Sequence, residues 1–256
     1  MSAADRPEGE NSNANVQVIG RSFAILRAVA ASGEGLRLGD LAKQVGLPRS
    51  TAHRIVRSLQ AEGVVLITTD GRVRIGPALV ELATTHRDTL LELAHPLMEK
   101  LAADVEETVD LATLEGDSVR FIDQATSSQR LRAGSVVGEA FPAYCTANGK
   151  ALLAELTPRA LETALPRRLS RLTPRTIVSR AELLAELEQV RETGVAYDRE
   201  EHTERICAVG VVARDAFGGI AALTIAAPAE RFYEREAELA EALLATTAEL
   251  SAALGG

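Results

Sequence analysis

Three residues, Gly46-Leu47-Pro48, interrupt what would otherwise be one helix, and they constrain the architecture more than any other stretch. Before them Leu38, Leu41, Ala42 and Val45 form a short apolar stripe at helical spacing, which Gly46 stops. After them, in PRSTAHRIVRSLQ, Ala52, Ile55, Val56 and Leu59 recur on one side of a helix wound at about 100° per residue, while Ser50, Arg54 and Arg57 centre the other side. Pro48 suits the first position of that helix, where a missing N–H leaves nothing unpaired. Upstream, Ile19, Phe23, Leu26 and Ala30 make a further stripe that ends in SGEG. The expected order is helix, helix, tight turn, helix, with the stripes turned to a common core.

Beyond Gly63 the pattern becomes extended. VVLITTDGRVRIG holds two β-rich runs around Asp70-Gly71, a dipeptide that favours a type I′ hairpin turn. Arg72 and Arg74 alternate with Val73 and Ile75, so both arginines share the outer face of this wing. From Val16 to Gly76 the chain carries nine Arg and Lys against four Asp and Glu; residues 77–256 carry 18 against 29, and the whole chain has a net charge of −8. A basic first third on an acidic body suits one module that meets a polyanion and another that does not.

A helix with arginines on its free side fits the major groove of DNA, where Arg pairs bidentately with guanine O6 and N7 while Ser, Thr and His reach phosphates or base edges. Arg49, Ser50 and Thr51 open the helix, where free backbone N–H groups and the positive helix end favour phosphate. His53, Arg54 and Arg57 follow. Arg72 and Arg74 reach the backbone or the minor groove from the wing, and Arg21, near the start of the first helix, is a candidate phosphate clamp. A basic helix face alone is as often a solvated surface. Its joint occurrence with three-helix spacing, a Pro-started third helix and an Asp-Gly hairpin is what points to DNA.

The 256 residues, 46% hydrophobic and 25% charged, allow one large globular domain or two medium ones. Cys145 and Cys207 are too few for a disulfide framework or a structural zinc site, which suits a reducing cytoplasm. Residues 1–15 are polar and are expected to be a disordered lead-in, and no run approaches the roughly 18 apolar residues of a membrane span. From Pro77 a helical pattern continues past Pro96, which marks a kink or a junction between two helices. TVDLATLEGDSVRFIDQA reads as a hairpin turning at 115–118. Helices are expected to start near Asn148, at Thr157-Pro158 and at the capping pair Ser179 and Glu182. Two apolar strands flank Gly218-Gly219, and residues 229–253 form a closing helix that buries Phe232, Leu239, Leu243 and Leu250. The second part is thus an α+β domain on an antiparallel sheet.

The segments GRSFAILRAVAAS, LRLGDLAKQVGLPRSTAHRIVRSLQAEGVV and RVRIGPALVELA resemble the winged helix-turn-helix and linker helix of the isocitrate-lyase-regulator (IclR) family of bacterial transcription factors. The resemblance continues through AYCTANGKALLAEL and GVAYDREEHTERICAVGVVARDAFGGIAALTIAAPAERF, and so covers nearly the whole chain after Asn15. It implies an all-α, winged-helix N-terminal domain over 16–76, a linker helix over 77–95 and a GAF-like α+β effector-binding domain over 96–256, built on a six-stranded antiparallel sheet. It further implies a homodimer or tetramer on a palindromic operator, responding to a small organic or aromatic acid. Carried over by motif, the effector pocket takes Ala147 and Asn148 from the turn before GKALLA, Asp198 from the loop YDREEH, and Cys207 or Ala208 with Thr224 and Ala226 from the final strands. Asn148 stands where small or apolar residues are common in the family, and Arg205 where glycine is.

The competing reading is a thiol enzyme in which Cys145 and His202 pair, oriented by Asp198 or Glu201, or a redox sensor using Cys145 or Cys207. No nucleophile elbow, phosphate-cradling glycine loop or His-rich metal spacing accompanies them, so neither a cofactor nor a metal is expected.

Overall fold

The computed structural model describes residues 9–216 and 218–256. They form two compact units, the first ending at Asp88 and the second spanning Thr89–Gly256. The first contains α1 (Gly9–Ala31), β1 (Leu36–Arg37), α2 (Leu38–Gln44), α3 (Arg49–Ala61), β2 (Val65–Ile67), β3 (Arg72–Ile75) and the start of α4 (Pro77–Val105). The lead-in falls partly outside the described residues; its part from Gly9 onward is the first turns of α1, because extending an established helix is far easier than nucleating one.

The break between α2 and α3 follows from Gly46. With φ at +66 it takes the left-handed conformation that a side chain disfavours, and Leu47 N–H donates to Ala42 C=O at 2.9 Å while Gly46 N–H donates to Lys43 C=O at 3.2 Å. These bonds satisfy the last carbonyls of α2 and turn the chain. Pro48 stands one residue earlier than expected, as the extended cap before Arg49. Ile55 and Val56 then pack with Leu41, Val65 and Val73, and Ala52 is buried on the same side.

In α1 the buried residues are Ile25, Leu26, Ala28 and Val29; of the expected stripe only Leu26 is buried, and Ile19, Phe23 and Ala30 are exposed. The helix carries two apolar stripes about one residue apart, and periodicity alone does not say which one faces its own core. The wing is a three-stranded antiparallel sheet in the order β1-β3-β2. Its turn is not type I′. Gly71 N–H donates to Thr68 C=O at 2.9 Å and only Gly71 has positive φ, giving a three-residue loop with glycine at the left-handed position.

Pro96 lies inside α4, which continues to Val105, so the alternative of two helices joined there is not realised. The second unit adds β4 (Thr108–Glu115), β5 (Ser118–Ala125), β6 (Ala140–Pro142), α5 (Ala147–Ala154), α6 (Pro158–Ala164), α7 (Arg180–Thr193), β7 (Ala196–Arg199), β8 (Ile206–Asp215), β9 (Gly218–Pro228) and α8 (Ala229–Ala253). The strands form one antiparallel sheet in the order β6-β5-β4-β9-β8-β7. Alternation sorts its side chains. Val109, Leu111, Val209, Val211, Leu223 and Ile225 pack against α8 and the later turns of α4. On the other face Val119, Phe121, Val212 and Ala222 pack with α5 and α7, and beside them Asp110, Ala208, Thr224 and Ala226 are left facing an open space.

Candidate functional site

Two surfaces stand out, one in each unit. In the first, Arg49, Ser50, His53, Arg54 and Arg57 are all exposed on α3, with Thr51 half-buried at its first turn. Arg57 Nη1 donates to Gln60 Oε1 at 3.4 Å. Arg49, His53 and Arg54 make no side-chain hydrogen bond or ion pair among the described residues. Arg21 is exposed on α1, where its Nη2 donates to Gln17 Oε1 at 3.3 Å.

The wing arginines differ from this free set. Both lie on the outer face, yet Arg72 Nη1 donates to Gly35 C=O at 3.0 Å and its Nε to Asp70 Oδ2 at 3.1 Å, while Arg74 Nε donates to Glu34 C=O at 3.0 Å. They tie the hairpin to the turn after α1. Sequence reasoning missed Arg37, exposed on β1 directly opposite Arg72, because a two-residue strand leaves no alternation to read.

In the second unit a cavity of about 110 Å³ lies over the sheet beside the start of α5. Its floor is the row of small side chains Ala208, Ala226 and Thr224, and its far wall is the first turn of α5 at Ala147 and Asn148. That helix sits close because β8 has Gly210 there: a Cβ at this position would lie 2.8 Å from Ala147 C. Gly149, in the GKALLA segment, is equally constrained, since its Cβ would meet Ala143 O at 2.1 Å. Asp198 lines the cavity as well, but from strand β7 and not from a loop.

Cys207 does not line it. Alternation along β8 sends its side chain through the sheet to the core shared with α8, so Ala208 is the residue at this position that faces the space. The motif also left out much of the lining: Asp110, Ser135, Phe121, Phe141 and His202 all contribute. Asp110 was readable in principle, as a charged residue inside the apolar run TVDLATLE.

The polar groups are unusual for their burial. Asp110 Oδ1 accepts from Ser135 Oγ at 2.6 Å and Gln124 Nε2 at 2.8 Å, yet burial pushes its carboxyl up to about 6. Asp198 Oδ1 accepts the backbone N–H groups of Glu201 at 2.7 Å and His202 at 3.4 Å, and burial pushes it up to about 7. Thr224 Oγ1 is buried with no hydrogen-bond partner among the described residues. Beside the cavity the fully buried Lys150 is held by Glu186 at 3.0 Å and Glu201 at 2.5 Å. Phe141 stacks on His202 with centroids 4.2 Å apart and meets Phe121 edge-on at 5.0 Å; burial lowers the His202 pKa.

The thiol–imidazole pair is not formed. Cys145 is fully buried, its Sγ donates to Pro142 C=O at 3.6 Å, and His202 Nδ1 instead lies 2.9 Å from Thr203 Oγ1. Burial pushes Cys145 up to about 12 and Cys207 up to about 11, which disfavours the thiolate that nucleophilic or redox chemistry uses near neutral pH. Among the described residues no group of three or more His, Cys, Asp and Glu is placed to hold a metal ion, and no helix is long and apolar enough to cross a membrane.

With this geometry in place, the relatives are informative. The IclR helix-turn-helix domain matches residues 18–66, and the C-terminal region of the bacterial transcriptional regulator IclR matches residues 82–252. The chain is 46% identical over 250 residues to the HTH-type transcriptional regulator Rv1719 of Mycobacterium tuberculosis, covering 97% of this chain and 96% of that one. It is 36% identical to the HTH-type transcriptional regulator TtgV of Pseudomonas putida, covering 94% and 92%. Among solved structures, an IclR homologue from Microbacterium hydrocarbonoxydans complexed with 4-hydroxybenzoate is similar at a TM-score of 0.61 and 26% identity, covering 93% of this chain and 98% of that chain.

Proposed function

The chain belongs to the IclR family of bacterial transcriptional regulators, and from that premise we propose that α3 and the wing carry its operator contacts and that the cavity over the sheet receives its effector. It is a DNA-binding helix-turn-helix regulator with a ligand-binding C-terminal domain. The observation that carries the assignment of α3 is its free basic face: Arg49, His53 and Arg54 stand exposed without intramolecular partners, on a helix whose opposite side is locked into the core. Arg54 reads a base edge; Arg49, Ser50 and Thr51 hold phosphate at the helix start.

The protein acts as a homodimer on a roughly palindromic site, with half-sites separated by about one helical turn, ~10 bp, or a multiple. Val18, Ile19 and Phe23 on α1 and Val80 and Leu82 on α4 support this, because they are exposed apolar side chains within one unit. Ala147, Asn148, Asp198, Ala208, Thr224 and Ala226 form the effector site together with Asp110, and α4, which runs through the division between the units, transmits the effector's preference for one dimer geometry.

The test is fluorescence anisotropy on a duplex from the region upstream of the protein's own gene against random DNA. Arg54→Ala is expected to reduce discrimination between the two by roughly 1 to 3 kcal/mol. Equal loss on both duplexes demotes Arg54 to a phosphate contact, and indifference of the wild type to every duplex at low salt ends the reading.

A further inference from the structure

Resting on the reading of the cavity as the effector site, we propose that it selects an uncharged aromatic alcohol, whose hydroxyl bridges Thr224 and Asp110, over the carboxylate carried by the same ring. The argument begins with what the cavity lacks. No Lys or Arg lines it. The nearest buried cation, Lys150, has its ammonium held between the carboxylates of Glu186 and Glu201, so it is already matched and more. What lines the space instead is two buried carboxyl groups, on β4 and on β7, at either end of the floor.

Each carboxyl uses only one oxygen. Asp110 and Asp198 both receive their internal hydrogen bonds on Oδ1, and Oδ2 of each takes no donor among the described residues. These are acceptors in want of a donor. A ligand carboxylate has none to give, whereas a hydroxyl has one.

Thr224 sets the position. Thr224 lines the cavity, its Oγ1 is buried with no hydrogen-bond partner among the described residues, and in the sheet register Thr224 stands directly across from Asp110. Directly opposed residues of an antiparallel pair have Cβ atoms roughly 5 Å apart, which brings both side chains within reach of one small ligand group. A hydroxyl placed there accepts from Thr224 Oγ1–H and donates to Asp110 Oδ2, completing both groups at once. The ring then lies on the small side chains Ala208 and Ala226, against the Phe141–His202 stack.

The start of α5 argues against a cationic ligand. The amides of Ala147 and Asn148, at the first two positions of the helix, have no partner within it and bring the positive helix end to the cavity wall. Free donors on one wall and free acceptors on another match a neutral ligand that carries both.

Benzyl alcohol, benzoate and benzylamine share one ring and differ in charge. Titrated calorimetrically into the full-length protein at pH 8, benzyl alcohol is expected to bind and benzoate to bind at least roughly 100-fold more weakly, the repulsion of a buried like charge a few ångströms away. Thr224→Val is expected to weaken the alcohol at least roughly 10-fold, and Thr224→Ser, which keeps the hydroxyl, to restore it. Benzoate or benzylamine binding as tightly as the alcohol overturns the ligand class and leaves the effector site standing. No binding by any of the three, in protein that still retards its operator, likewise overturns the class and spares the regulatory reading. Alcohol binding unchanged in Thr224→Val puts the ligand elsewhere, and then the cavity assignment itself fails.

Discussion

A buried hydroxyl without a partner is uncommon in a folded protein, because water would have bonded it in the unfolded chain. Among the described residues Thr224 Oγ1 is in this condition, so as it stands it costs stability and adds none. Thr224→Val replaces it with a methyl group of similar shape. The ligand-free melting temperature is expected to stay level or rise, reflecting relief of up to about 1–3 kcal/mol, while the stabilisation by effector is reduced; a scan with and without effector reads both. Asp110 makes the complementary case. Its folded pKa, about 6, lies above the ordinary 3.8, so the folded state holds a proton that the unfolded chain has already given up between those values. Stability therefore falls as pH rises from about 4 through about 6. In Asp110→Asn the amide oxygen still accepts from Ser135 and Gln124, and this fall disappears. Urea unfolding is expected to show the variant gaining on the wild type as pH rises, by on the order of 3 kcal/mol at neutral pH, at about 1.4 kcal/mol per pH unit of separation. A constant difference across pH 4 to 8 means that folding does not raise the Asp110 pKa.

At the level of elements, the wing and the recognition helix carry arginines of different kinds, and this separates their variants. Arg72→Ala removes bonds to Gly35 C=O and Asp70, so it is expected to destabilise the first unit by about 1–2 kcal/mol, with a lower unfolding midpoint, and to weaken operator and random duplex alike. Arg54→Ala touches no partner in the protein and leaves the midpoint in place. Calorimetry beside DNA titration distinguishes them, and an unshifted midpoint in Arg72→Ala shows that its bonds to the turn are dispensable. Which elements the sequence revealed follows the same logic of local information. The turn at Gly46, the helix caps Thr157 and Ser179, the long strands β8 and β9, and the buried face of α8 all carry their signal within a few residues. Strands β1, β6 and β7, of two to four residues, do not. The cavity was partly legible because alternation in β9 puts Thr224 and Ala226 on one face; Asp110 joins them only through pairing with β9, a contact between distant segments. Cys207 against Ala208 was a question of strand phase, which a motif shared with relatives leaves open by one residue.

For the whole molecule, the two apolar stripes of α1 matter most. One closes the core of the first unit; the other leaves Val18, Ile19 and Phe23 between 41% and 60% exposed, and Val80 and Leu82 on α4 are more exposed still. Charge is distributed to the same end, since the basic residues cluster in the first third and the acidic body is repelled by DNA, which favours approach with α3 foremost. A single such unit engages one half-site; joining two makes the second engagement intramolecular and raises overall affinity by roughly 10²- to 10⁴-fold without a new contact. Phe23→Glu places a charge in the uncovered stripe and leaves Ile25, Leu26 and Val29 in the core untouched, so the folded unit persists. On the proposed dimer, sedimentation velocity is expected to show the variant shifted toward monomer relative to the wild type, and the affinity for the full operator is expected to fall toward that for an isolated half-site while the half-site affinity holds. A variant that remains dimeric with full operator affinity means that the chains join through another surface, and the exposed stripe of α1 then has no part in assembly.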